Sequence, residues 1–158
     1  MEKIDLDRLK KGQKGITPIV AAFLVEATII CLMRNGHDSG VELKIEGDYE
    51  TSFQLHWSDE MTEQMKKSWN DQKEVTEYGA TAIAALLLQK LTTFEIMGRA
   101  EQEEGIDYYI GDKESEDIQG FLEVSGIWRS TSDTTLKIRV NRKLKRIKKL
   151  QEELPVFI

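Results

Sequence analysis

Cysteine is nearly absent from this chain: Cys31 is the single one in 158 residues. A lone cysteine closes no internal disulfide and builds no CxxC zinc pattern. The reducing cytoplasm is therefore the expected compartment. Histidine is almost as scarce. His37 and His56 lack the i,i+4 spacing of a helical zinc site, so any metal has to sit on carboxylates. That donor chemistry suits Mg²⁺ or Mn²⁺ better than Zn²⁺. There is also no P-loop, no GxGxxG and no GxSxG, which removes the common nucleotide-cradling and serine-hydrolase signatures. Wholesale disorder is excluded by the balance of 40% hydrophobic and 32% charged residues. A chain of this length buries roughly 70% of its unfolded surface and needs no covalent staple.

One long apolar run is present, Ile16 to Met33, preceded by Lys10, Lys11 and Lys14. Glu26 lies near its centre, and a carboxylate at mid-membrane costs at least ~2.5 kcal/mol. The run therefore reads as a helix buried in a core or an oligomer interface, with no membrane role. Thr17-Pro18 opens it, and Asn35-Gly36 closes it. The stretch before it, Met1 to Gly15, is charged and glycine-punctuated and reads as a mobile lead-in. VELKIE (41–46) and TSFQLHW (51–57) alternate in polarity around Gly47-Asp48 and predict a hairpin. Ser58 is placed to cap a short helix over Asp59 to Trp69. Trp57, Trp69 and Trp128 read as packing residues, and Cys31 as a core residue.

From Asp71 onward the pattern changes. Glu74 to Leu91 is a helix with an almost wholly apolar middle, which predicts burial on several sides. Phe94 to Met97, Gly105 to Ile110 and Phe121 to Ile127 read as strands. A charged loop, Arg99 to Glu104, separates the first two, and an acidic loop, Gly111 to Gly120, the last two. A long helix follows, capped by Ser132 or Asp133 and running to about Leu150. Pro155 introduces a last strand, Val156 to Ile158. The expectation is an α/β fold: an N-terminal extension over 1–70, with a helix and a β-hairpin, ahead of an α-β-β-β-α-β core with a mixed sheet over 71–158.

Two carboxylates stand out because their neighbours are apolar. Asp107 sits in GIDYYI and Glu123 in FLEVSGI. Strand alternation sets Glu123 on one face with Phe121, Ser125 and Ile127. An unpaired buried carboxylate costs several kcal/mol, so each needs a metal, a cation or hydrogen-bond donors. Two readings stand side by side: a shared divalent-cation site, or a structural network with Arg and Lys. Glu77, near the start of the apolar helix, is a candidate third oxygen donor, or else a partner for the helix dipole.

This order of elements and acids resembles the PD-(D/E)xK restriction-endonuclease-like superfamily, in an uncharacterised bacterial branch. Gly105-Ile106-Asp107 matches the first half of its motif, with isoleucine for proline. Glu123-Val124-Ser125 matches the second half, with serine for lysine. The resemblance covers Asp71 to Ile158. It implies a Mg²⁺- or Mn²⁺-dependent nuclease hydrolysing nucleic-acid phosphodiesters. Asp107 and Glu123 would be the metal ligands, and Glu77 and Ser125 would complete the catalytic set. The missing lysine has two consequences: a cation from elsewhere, such as the helix after Glu123, or an inactive relative. The alternative is thus a non-catalytic interaction or regulatory subunit of a bacterial complex, including a defence complex.

That last helix is the second feature. Lys137, Arg139, Arg142, Lys143, Lys145, Arg146 and Lys149 crowd into it, although the chain carries a net charge of −6. Leu136, Val140, Leu144, Ile147 and Leu150 recur at helical spacing and are expected to face the core. The rest would form a basic stripe for phosphates, or for acidic residues of this chain or a partner subunit. Expected partners are nucleic acid and a second copy or protein complex.

Overall fold

The computed structural model describes residues 1–101, 105–131, 135–147 and 154–158. Its elements run β1 (Glu2–Asp5), a 3-10 helix (Leu6–Lys11), α1 (Pro18–Arg34), β2 (Val41–Ile45), β3 (Thr51–His56), α2 (Glu63–Ser68), α3 (Gln72–Leu91), β4 (Phe94–Arg99), β5 (Tyr108–Asp112), β6 (Gly120–Leu122), α4 (Leu136–Ile147) and β7 (Val156–Phe157). The chain is mixed α/β with two mixed sheets. The first has the order β1-β3-β2 and the second β4-β5-β6-β7. β1 pairs parallel with β3, and β2 antiparallel with it. In the second sheet β4, β5 and β6 are antiparallel neighbours, and β7 pairs parallel with β6.

The N-terminal stretch corrects the expectation of a mobile lead-in. Glu2–Asp5 is a strand, and Leu6 and Leu9 of the 3-10 helix are fully buried. Burying two leucines removes enough apolar surface to offset the ordering of a short segment. Asp7 ties the turn down: it accepts hydrogen bonds from the backbone N–H of Ser58 at 2.8 Å and from its hydroxyl at 2.7 Å, and pairs with Lys10 at 2.6 Å. The next segment docks on the second sheet. Gln13 Oε1 accepts from the Ile96 N–H, the Gly15 N–H donates to the Ile96 carbonyl, and Lys14 N–H donates to buried Glu95. This covers the backbone of β4, the edge strand of its sheet. Gly15 makes the approach possible, since a Cβ there would lie 2.3 Å from the Gly98 nitrogen.

α1 starts and stops where its caps say. The Thr17 side chain accepts from the Val20 N–H, Pro18 opens the helix, and Gly36 adopts a positive φ just beyond its end. Glu26 accepts from the Trp69 indole N–H at 2.8 Å, which satisfies it at the margin of the core. α2 is shorter than expected and is capped by Thr62 rather than Ser58. No helix among the described residues is long and apolar enough to cross a membrane.

α3 is the centre of the molecule. One side crosses α1 at Gly79, where the Thr28 hydroxyl donates to the Gly79 carbonyl. Its Ala82, Ala85, Leu86 and Leu88 join a continuous buried cluster. That cluster holds Ile4, Phe53 and Leu55 of the first sheet, Leu24, Val25 and Ile29 of α1, and Ile96, Ile110 and Leu122 of the second. The other face of the second sheet carries a smaller cluster, Ile106, Phe121 and Ile147. The second sheet is thus covered by α3 on one face and by α4 on the other.

Asp7→Ala is expected to destabilise the fold by about 1–2 kcal/mol, because it strips the Ser58 donors of their acceptor. Burial alone would raise the Asp7 pKa, but the bonds from Lys10 and Ser58 outweigh it and hold the carboxyl below its ordinary 3.8. A depressed carboxylate contributes stability above its unfolded pKa and loses it as pH falls through the folded value. Urea titrations at pH 7 and at pH 3 should therefore show the gap between wild type and Asp7→Ala narrowing in acid. A constant gap would refute this role.

Candidate functional site

The site lies where β5 begins and β6 ends. The register sets Tyr108 opposite Leu122 and Tyr109 opposite Phe121. One step further it brings Asp107, just before β5, across from Glu123, just after β6. The two expected strands are therefore shorter than their apolar sequences suggest. Pairing stops because a side chain takes over from the ladder: Asp107 Oδ2 accepts the Val124 N–H at 2.7 Å. The Glu123 N–H turns the other way, to the Phe157 carbonyl at 2.9 Å, so β7 fixes its backbone.

Glu123 is 2% exposed. Its Oε1 accepts from the Lys143 ammonium and, at 2.7 Å, from the Arg146 guanidinium. Burial pushes the carboxyl pKa up; the Lys143 hydrogen bond pulls it back, and the nearby negative charge of Asp107 adds to the rise. The two acids are thus within electrostatic reach of each other, and α4 supplies the cations on Glu123.

That arrangement corrects the expected face of α4. Leu136 is 60% and Leu144 36% exposed, whereas Ile147 is fully buried. Arg139 and Lys143 are half-buried instead, and the exposed Arg146 reaches Glu123 with its guanidinium. Arg139 donates to the Ser125 hydroxyl at 3.0 Å and to the Gly126 carbonyl at 2.5 Å. One apolar series competes with one basic series on this helix, and the buried carboxylate decides. An unpaired Glu123 costs more than two partly exposed leucines gain. Of the proposed basic stripe, Lys137, Arg142, Lys145 and Arg146 remain exposed. Lys149 lies outside the described residues, as do the expected caps at 132 and 133.

Beside the pair a cleft of about 640 Å³ opens between α3, β5 and the segment 124–128. Asp107, Glu77 and Ser125 line it, with Lys73, Tyr78, Arg99, Tyr108, Trp128 and Arg139. Three of the four residues expected to be catalytic, and Arg139 of the expected basic stripe, thus share one cavity. Glu123 lies behind them, against α4. Glu77 is exposed on α3, and among the described residues no third His, Cys, Asp or Glu joins the two carboxylates as a metal-holding group. Two carboxylates still fit Mg²⁺, which keeps several waters and takes few protein ligands. Gly126 lets the 124–128 segment approach α3, because a Cβ there would lie 2.5 Å from the Thr76 carbonyl oxygen.

Sequence reasoning missed Tyr78, Arg99 and Tyr108. They come from three elements, and no local spacing links them. The arginine at the end of β4 reaches the Tyr108 ring, 5.9 Å from its centroid, a distance that favours a cation–π contact. The chain matches no family model, no curated protein and no solved structure.

A double-mutant cycle tests the buried pair. Glu123→Gln and Lys143→Met should each destabilise the protein, and the double variant should cost less than their sum. The expected coupling is about 1–3 kcal/mol, as for contacting groups in one network. Additive losses in chemical denaturation would show that the contact carries no energy. Gly126→Ala should cost about 1–3 kcal/mol through overpacking. An unchanged melting midpoint would place the 124–128 segment away from α3.

Proposed function

We propose that this chain is a divergent relative of the PD-(D/E)xK nucleases and hydrolyses nucleic-acid phosphodiesters with Mg²⁺ or Mn²⁺. The observation that carries this reading is the Lys143 ammonium on Glu123. The motif resemblance lacks a lysine at Ser125, and α4 brings one to the same carboxylate from the other side. A buried Glu123 with a cation on it, a half-buried Asp107 opposite and an open cleft beside them support that chemistry.

In this reading Asp107 and Glu123 hold the divalent ion. When bound, the ion supplies an acidified water and a positive charge for the phosphate. The remaining roles belong to the chain. Val124 N–H fixes one oxygen of Asp107, leaving the second for a ligand. Lys143, on the side of Glu123 away from the cleft, holds a positive charge on that acid and offsets the negative charge of the pair. Arg139, anchored on Ser125 and Gly126, keeps a guanidinium at the cleft wall. Ser125 orients water or Arg139 rather than supplying charge. Glu77, across the cleft, orients a water.

The alternative, an inactive nuclease-fold subunit of a larger complex, is favoured by one observation: both cations already sit on Glu123 Oε1, so the acid is satisfied without a metal. Calorimetric titration with Mn²⁺ separates the two. The hydrolase reading expects a single site that is lost in Asp107→Asn and Glu123→Gln. It also expects Mn²⁺-dependent cleavage of a labelled oligonucleotide that falls about 10²–10³-fold in Lys143→Met. Absence of both metal binding and cleavage would leave the interaction subunit.

A further inference from the structure

The aromatic residues around the cleft do not stop at its mouth. Tyr78, on the cleft wall, meets Phe23 of α1 edge-on, with ring centroids 5.0 Å apart. Phe23 is 47% exposed, and Ile19, one turn earlier on the same side of α1, is 84% exposed. An apolar ridge therefore runs from open surface into a cavity that also holds Asp107. The cavity is lined by three cations, Lys73, Arg99 and Arg139, against two acids, Glu77 and Asp107. The chain as a whole is acidic, so this positive balance is local.

We propose that the cleft takes an unpaired strand of nucleic acid, with its bases on Phe23 and Tyr78 and its phosphates along Arg99, Arg139 and Lys73. This rests on the hydrolase reading only for the cleavage step; the binding claim stands on the ridge and the charges. The chemistry discriminates between strand and duplex. Bases in a duplex already have both faces stacked, so exposed rings offer them nothing. Bases of a single strand gain from any aromatic face, and rings beside a cationic groove suit single strands of any sequence. The cavity is of a size that admits a nucleotide-sized group.

The test is fluorescence anisotropy with a labelled twelve-nucleotide oligodeoxynucleotide, the matching oligoribonucleotide and the matching duplex, all in EDTA so that no hydrolysis intervenes. At least one single strand should bind roughly tenfold or more tightly than the duplex, given stacking gains of this order per base. Phe23→Leu keeps an apolar side chain and removes the ring; it should weaken single-strand binding roughly five- to a hundredfold, whereas Phe23→Tyr should restore it. Thermal melting of both variants monitors folding. Arg99→Gln should flatten the salt dependence by about 0.7 in slope, the value for one phosphate contact on a single strand. Equal or tighter duplex binding, or a Phe23→Leu variant that melts and binds like wild type, overturns the inference. A parallel incubation with Mn²⁺ keeps the two claims apart. Single-strand binding without cleavage supports the ridge and removes the hydrolase reading, while cleavage of duplex with no strand preference does the reverse.

Discussion

A helix with an almost wholly apolar middle has to be covered there on several sides. α3 imposes that constraint, and most of the architecture follows from it. α1 covers one side at the close Gly79 crossing, and the second sheet covers another through Ile96, Ile110 and Leu122. The first sheet and the N-terminal turn add Ile4, Phe53, Leu6 and Leu9 to the same core. This explains why charged, glycine-containing residues at the N-terminus are ordered. They carry the leucines that complete the cover, and their backbone closes the β4 edge that would otherwise be open to pairing.

The polar counterpart of that core is Glu123. It is buried where the sheet ends, and its position is over-determined: β7 holds its backbone and α4 holds its side chain. Removing both cations would leave a charge in a poorly solvated place, which is far more costly than the pair is stabilising. α4 is consequently oriented by electrostatics as much as by packing. It turns Arg139, Lys143 and Arg146 toward the sheet and leaves Leu136 in solvent.

The sequence was legible wherever a local rule acted alone. Thr17-Pro18 and Gly36 bounded α1, and the alternation of 41–46 and 51–57 gave the hairpin with its antiparallel register. Asp107 and Glu123 announced themselves as acids among apolar neighbours, and the structure sets them across from each other. Legibility failed where a distant partner decided. β1 is only four residues long and pairs with β3, some fifty positions away, so its own pattern carries little signal. The lengths of β5 and β6 were overestimated because Asp107 ends the ladder with its side chain, which periodicity cannot register. On α4 the leucine and the Arg/Lys series both had helical spacing. Only the burial of Glu123 chose between them.

That choice bears on the chemistry. A buried carboxylate beside a second carboxylate is unstable as a pair of anions unless a cation is present. Lys143 and Arg146 supply it in this structure, and a divalent ion would supply it in the hydrolase reading. The two are not equivalent in geometry. The α4 cations approach Glu123 from the helix face, whereas Asp107 also opens on the cleft, where Glu77 and Ser125 lie. An ion entering from the cleft would meet Asp107 first and Glu123 behind it, with Lys143 on the far side of the same acid. The lysine would not have to leave for the ion to bind; it would need only to share Glu123. In the hydrolase reading the same acid would thus carry a cation on each side, whereas in the structural reading the α4 cations alone satisfy it.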